Sequence, residues 1–154
     1  MSSDGRAPAA DGAEGGARTA VLAIELSQRA GSVALRVGGL ASARAVPAAT
    51  SDRDELMPAI QALVRDAGCT PRDIDTVMVS IGPGGFTGLR VSIATAKALS
   101  LALGARLVGV PSALIVARCI AQRDGIRDGT VGVALAVKAD TAWLERVELA
   151  GGEP

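Results

Sequence analysis

Histidine is missing from this chain of 154 residues. With it go His general bases, Ser-His-Asp and Cys-His nucleophile systems, and His-ligated metal sites. Tyrosine is missing too, and there is one Phe and one Trp. Charge is balanced, with 16 Lys and Arg against 16 Asp and Glu. A neutral chain with so few rings lacks both the basic field and the stacking platforms of a free-standing nucleic-acid binder. Cysteine is scarce: Cys69 and Cys119 lie far apart, form no C-x-x-C, and read as reduced thiols of a cytosolic protein. No stretch approaches the roughly 20 apolar residues of a membrane helix, so a cytoplasmic location without a membrane partner is expected. Residues 1–18 are rich in Gly, Ala, Ser and Asp. They lack the apolar region of a signal peptide and read as a disordered tail.

What is abundant is glycine, concentrated at one place. Ile81-Gly82-Pro83-Gly84-Gly85-Phe86-Thr87-Gly88-Leu89-Arg90 follows the apolar run Val77-Met78-Val79-Ser80-Ile81 and precedes an Ala/Ser/Leu-rich helical stretch. Strand, tight glycine loop, helix is an order that puts bare backbone at the carboxyl end of a buried strand. Such backbone admits another backbone, a phosphate or a partner at close range. An αL turn that merely joins strand to helix explains the spacing equally well. A P-loop needs Lys after its last Gly, whereas Leu89 follows Gly88. The G-x-G-x-x-G fingerprint fails at Thr87, and Pro83 lacks the amide that a phosphate would use. An NTPase or a dehydrogenase is not indicated.

The remaining pattern resolves into elements. Val21–Ile24 reads as a buried strand, 32–37 as an alternating one, and Gly38-Gly39 as a two-residue hairpin turn into a strand over 40–46. Ser51 or Asp52 is placed to cap a helix with Glu55 in its first turn. Leu56, Ile60, Leu63, Val64 and Ala67 form its buried stripe, and Gly68 ends it. Met57 sits beside that stripe, at the edge of the core or free for a partner. A strand at 76–80 leads to the glycine loop. The second helix is expected from about Leu89 to Leu103, with Leu89, Ile93, Ala96 and Leu103 on one side. Ser92, Ala94, Thr95, Ala98, Ser100 and Ala102 are small, and this surplus of small, uncharged positions beyond one face suggests that a second helix packs there. A strand follows at 106–110, then a helix with Pro111 at N1 running to about Ala121, and a strand pair over 130–137 and 141–149.

The order βββ-α-β-α-β-α, then β-β, is a ribonuclease-H-like α/β layout of the actin/Hsp70 ATPase type. It predicts a mixed five-stranded sheet with helices on both faces, over residues 19–128. Residues 129–154 would be the strand pair that opens a truncated second lobe.

At this point the chain resembles a known family, the TsaB (YeaZ) proteins. These are accessory subunits in the making of threonylcarbamoyladenosine beside the anticodon of tRNA. Gly82-Pro83-Gly84-Gly85-Phe86-Thr87-Gly88-Leu89-Arg90-Val91 is similar to the family's G-P-G-S-F-T-G-[LV]-R-[IV], with Gly85 for Ser. Val21-Leu22-Ala23-Ile24-Glu25-Leu26-Ser27 with Ser32-Val33-Ala34-Leu35 resembles I-L-A-[IL]-D-T-S…S-V-A-L. Leu56-Met57-Pro58-Ala59-Ile60 and Gly109-Val110-Pro111-Ser112-Ala113-Leu114 resemble two further family segments. Glu25-Leu26 stands for Asp-Thr in the first loop, and Ala136-Val137-Lys138 for D-A-R. The second lobe is nearly absent, as in a diverged or C-terminally shortened member.

The resemblance implies a non-catalytic scaffold that dimerises with a TsaD-like enzyme in modifying tRNA. No cofactor is expected in the isolated chain. ATP and metal would sit on the partner, and tRNA would be met only through the complex. A TsaE-like ATPase and a homodimer are further implied partners. Gly82, Pro83, Gly84, Gly85, Phe86, Thr87, Gly88 and Arg90 form the candidate loop motif, next to a partner or nucleotide. Met57, Ile60, Ser92, Thr95, Ala98, Leu99 and Ala102 form the candidate interface. Two alternatives stand beside this reading. One is a self-associating module outside tRNA modification. The other is a ribonuclease-H-like nuclease, for which Glu25 would be the first carboxylate but the fourth strand ends without an acid.

Overall fold

The structure, a computed structural model, describes residues 19–47, 55–138 and 141–151. Strand β1 (Ala20–Glu25) lies at the centre of a five-stranded sheet of order β3-β2-β1-β4-β5. β2 (Gly31–Val37) and β3 (Leu40–Val46) add to one side of it as an antiparallel meander. Gly38 makes their turn possible with φ 57°, where a Cβ would be strained. On the other side β4 (Ile74–Ser80) and β5 (Arg106–Val110) run parallel to β1. The mixed sheet expected from the element order is therefore present.

Alternation sorts the side chains. Leu22 and Ile24 of β1 pair with Leu35 and Val33 of β2 and with Val77 and Val79 of β4, so one apolar face crosses three strands. Helices α1 (Leu56–Asp66) and α2 (Phe86–Leu103) both cover that face, α1 through Leu56, Ile60, Leu63 and Val64, and α2 through Ala96. The candidate caps Ser51 and Asp52 lie outside the described residues; the helix starts from Glu55. Gly68 follows the end of α1 with φ 63°.

Helix α3 (Ser112–Asp124) takes a different place from the one expected. The layout predicted helices on both faces of the sheet, yet α3 packs its Ala113, Ala117 and Ala121 on β6 (Gly129–Lys138) and β7 (Thr141–Leu149). Those two strands pair only with each other and offer Val131, Val133, Leu135, Val147 and Leu149 on one side. A narrow alanine stripe lets α3 sit close on that row, and a second small core forms. Pro111 is the N-cap residue rather than the first helical one.

Helix α2 begins at Phe86, three residues before the expected Leu89. Gly85 serves as its N-cap with extended backbone, so Thr87 and Gly88 turn helical although they look like loop. It ends at Gly104 in αL conformation, where the Ser100 hydroxyl donates to the Ala105 carbonyl at 2.6 Å. α2 is also long and apolar enough to cross a membrane by length and composition, which corrects the expectation that no stretch approaches that length. Its Ala96 and Ser92 are nevertheless packed inside the lobe.

A chain without histidine has no side chain of ordinary pKa between those of carboxylates and thiols. The thermal midpoint should therefore stay within about 2 °C between pH 6 and pH 7.5. A scanning-calorimetry shift of more than about 4 °C would reveal a titrating group that this account omits.

Candidate functional site

The glycine loop is built around contact with the β1–β2 loop. Gly82 leaves β4 with φ 95°, and its carbonyl accepts the Ser112 N–H at 2.9 Å, which ties the start of α3 to the end of β4. The Gly85 N–H donates to the Ser27 carbonyl at 2.6 Å. A Cβ on Gly84 would lie 2.6 Å from the Ser27 Cβ and closer still to the Ser27 carbonyl oxygen. A Cβ on Gly88 would run into the Leu26 carbonyl oxygen. The bare backbone thus serves a close approach, and what approaches is Leu26-Ser27 of the same chain. The Ser27 N–H in turn donates to the Glu25 carboxylate, so that acid is engaged in shaping its own loop.

The rest of the motif faces outward. Phe86 is 72 % exposed, and the Arg90 guanidinium lies 5.0 Å from its ring centroid, one helical turn on. Thr87 and Arg90 are also exposed, and Pro83 is half-buried. The pair presents an aromatic ring with a cation on one face, beside a helix start that has no side-chain cap.

Gly85 differs from its neighbours. A Cβ there meets only the Ser27 oxygen at 3.5 Å, an ordinary contact. A hydroxyl at this N-cap position would accept from the free amides of the first turn. Gly85→Ser should therefore stabilise the lobe by a few tenths of a kcal/mol. Urea unfolding measures this, and a loss of more than about 1 kcal/mol would contradict the geometry.

The candidate interface residues separate into three levels. Ile60 and Ser92 are 4 % and 0 % exposed and belong to the core, with the Ser92 hydroxyl donating to the Leu89 carbonyl at 3.1 Å. Met57, Thr95 and Leu99 are half-buried. Ala98 and Ala102 are exposed. Between α1 and α2 runs an apolar groove of about 400 Å³, lined by Met57, Ile60, Val64, Leu99 and Leu103, with Cys69 at its end. Burial pushes the Cys69 thiol up, helped by the charge of Asp73, and the thiol donates to the Val64 carbonyl.

Outward from Leu99, at 100° per residue, come Thr95, Ala102, Val91, Ala98, Ala94 and Leu101. They form one continuous surface without charge, and Leu101 is 85 % exposed. Arg90 and Lys97 bound it. Ala94 was among the small positions read from the sequence, whereas Val91 and Leu101 were not singled out for this surface. Their signal was the narrowness of the buried stripe, Ser92 and Ala96, which leaves a second apolar stripe at spacings of three and four. Among the described residues no group of three or more His, Cys, Asp or Glu side chains is placed to hold a metal.

A family model described as TsaD: tRNA N6-adenosine threonylcarbamoyltransferase matches residues 42–139, well over half of the chain. The tRNA threonylcarbamoyladenosine biosynthesis protein TsaB of Escherichia coli is 29 % identical over 105 residues, 68 % of this chain and 46 % of that protein. An uncharacterized protein of Mycobacterium tuberculosis is 44 % identical over 64 residues, 42 % of this chain and 30 % of that one. The structure of YeaZ from Pseudomonas aeruginosa superposes with a TM-score of 0.78 at 28 % identity, covering 88 % of this chain and 62 % of that one. The chain spans less than half the length of these curated relatives.

Proposed function

The chain belongs to the TsaD family and is TsaB-like within it, and from that membership we propose that it is an accessory subunit in tRNA threonylcarbamoyladenosine biosynthesis. In this reading it carries no reaction itself. It binds a TsaD-like enzyme through α1 and α2 and holds that enzyme in an active shape. ATP, metal and most of the tRNA contact belong to the partner. The protein acts in the cytoplasm, where the modified tRNA is.

The observation that carries the reading is the uncharged face of α2 from Val91 to Leu101, continuous with the α1–α2 groove. A helix this apolar and this exposed is stable in water only at the cost of solvating Leu101 and Val91. A partner helix laid along it would bury both, and the small Ala94, Ala98 and Ala102 would let the two backbones come close. The lack of histidine supports assigning the chemistry to the partner, since this chain has no imidazole to hold a metal or move a proton.

Reconstitution tests this. Threonylcarbamoyl transfer to tRNA by the TsaD-like enzyme of the same organism should need the chain, and the chain alone should give none. Equal transfer with and without it would overturn the accessory role. Transfer by the chain alone would overturn its non-catalytic character.

A further inference from the structure

The two charges that border the α2 face have the same sign. Arg90 and Lys97 are exposed, and among the described residues neither is ion-paired. α2 itself has no acidic residue. α1 has Asp66 alone, which Arg44 and Arg65 hold at 2.5 and 3.5 Å.

Spacing gives the two cations a place in a helix pair. Arg90 and Lys97 are seven residues apart, as are Val91 and Ala98, and as are Ala94 and Leu101. A repeat of seven with uncharged, apolar residues at its first and fourth positions is what one helix presents to another in left-handed packing. Val91 and Ala98 take the first position, and Ala94 and Leu101 the fourth. Arg90 and Lys97 then take the last, along one border of the seam. Thr95 and Ala102 take the fifth, along the other border. Side chains on these borders decide which helix pairs with which.

A second copy laid antiparallel about a two-fold axis would set Arg90 against Lys97 of its mate and Lys97 against Arg90, so four cations would crowd one border. A second copy laid parallel would set them against Thr95 and Ala102, which carry no charge. A helix with two carboxylates seven residues apart would pair with both.

We propose, resting on the reading that α2 receives a TsaD-like enzyme, that Arg90 and Lys97 select that partner. The enzyme's docking helix carries two carboxylates seven residues apart, which meet this pair. The same pair keeps α2 from α2 of a second copy. The Phe86 ring, 5.0 Å from the Arg90 guanidinium, restrains it before the partner arrives. Both ion pairs lie at a wet border, so they act on the speed and choice of association more than on affinity.

Stopped-flow association with the enzyme tests this, for the natural chain and for the double variant Arg90→Glu, Lys97→Glu. The association rate of the variant should be lower at least about tenfold at about 20 mM salt and less than about threefold at about 500 mM. Arg90→Glu alone puts one charge of each sign on the border, so two antiparallel copies gain ion pairs where they had repulsion. Self-association by sedimentation equilibrium should then tighten at least about tenfold, and adding Leu101→Arg should reverse it, with circular dichroism unchanged throughout. A complex whose association rate ignores both the double variant and salt overturns the proposal and leaves the accessory reading standing. So does an Arg90→Glu chain that self-associates no more than the natural one. No complex with the natural chain removes that reading and the proposal together, and binding to phosphatidylserine vesicles in place of the enzyme would assign the two cations to lipid headgroups instead.

Discussion

Gly88→Ala should destabilise this lobe by about 3 kcal/mol, at the upper end of what overpacking costs. The added methyl has no room to turn, since what it meets is the Leu26 carbonyl, a backbone atom at the end of the central strand. Relief requires α2 to move off the β1–β2 loop, which would also loosen the Gly85–Ser27 hydrogen bond. Gly84→Ala should behave alike, because its Cβ meets the Ser27 carbonyl and Cβ. Gly104→Ala is the control. There φ is 67° and nothing lies within 4 Å of a Cβ, so only the left-handed backbone is strained, at about 1–2 kcal/mol. Urea midpoints of the three variants decide the matter. If Gly88→Ala costs no more than Gly104→Ala, the glycine loop is not clamped on the β1–β2 loop.

Association should respond as sharply. Leu101→Arg changes a side chain that is 85 % exposed, so the monomer should keep its stability within about 0.5 kcal/mol. In a complex that buries the α2 face, the same arginine becomes an unpaired charge in an apolar contact. Binding to the TsaD-like enzyme should then weaken at least about 100-fold, close to 3 kcal/mol. Ala98→Arg should do the same, through the close helix approach that alanine permits. Titration calorimetry measures both. A Kd changed less than about threefold by either substitution would place the interface elsewhere.

The sheet was legible because its signals are local. Val21–Ile24 reads as a doubly buried strand, Gly38-Gly39 closes the hairpin beside it, and the alternation through Leu35 sets the register. Other features are non-local and escaped the pattern. Nothing near Gly88 in sequence shows that Leu26 stands over it, so Thr87 and Gly88 read as loop although they are helical. The place of α3 was missed for a similar reason. Its alanine stripe fits either sheet, and only the row of Val131, Val133 and Leu135 decides between them. On α2, apolar residues surround the helix, so composition could not say which of them face inward. Ser92 turned out to point into the core, while Leu101 faces out.

The central claim is that this chain works by presenting the α2 face to a TsaD-like enzyme. The most direct test is the mass of the mixture of the two proteins by size-exclusion with light scattering, for the natural chain and for Leu101→Arg. The account predicts a complex of the two proteins with the natural chain and separate components with the variant, the variant remaining folded by circular dichroism. A complex of unchanged mass with Leu101→Arg, or none with the natural chain, would contradict it.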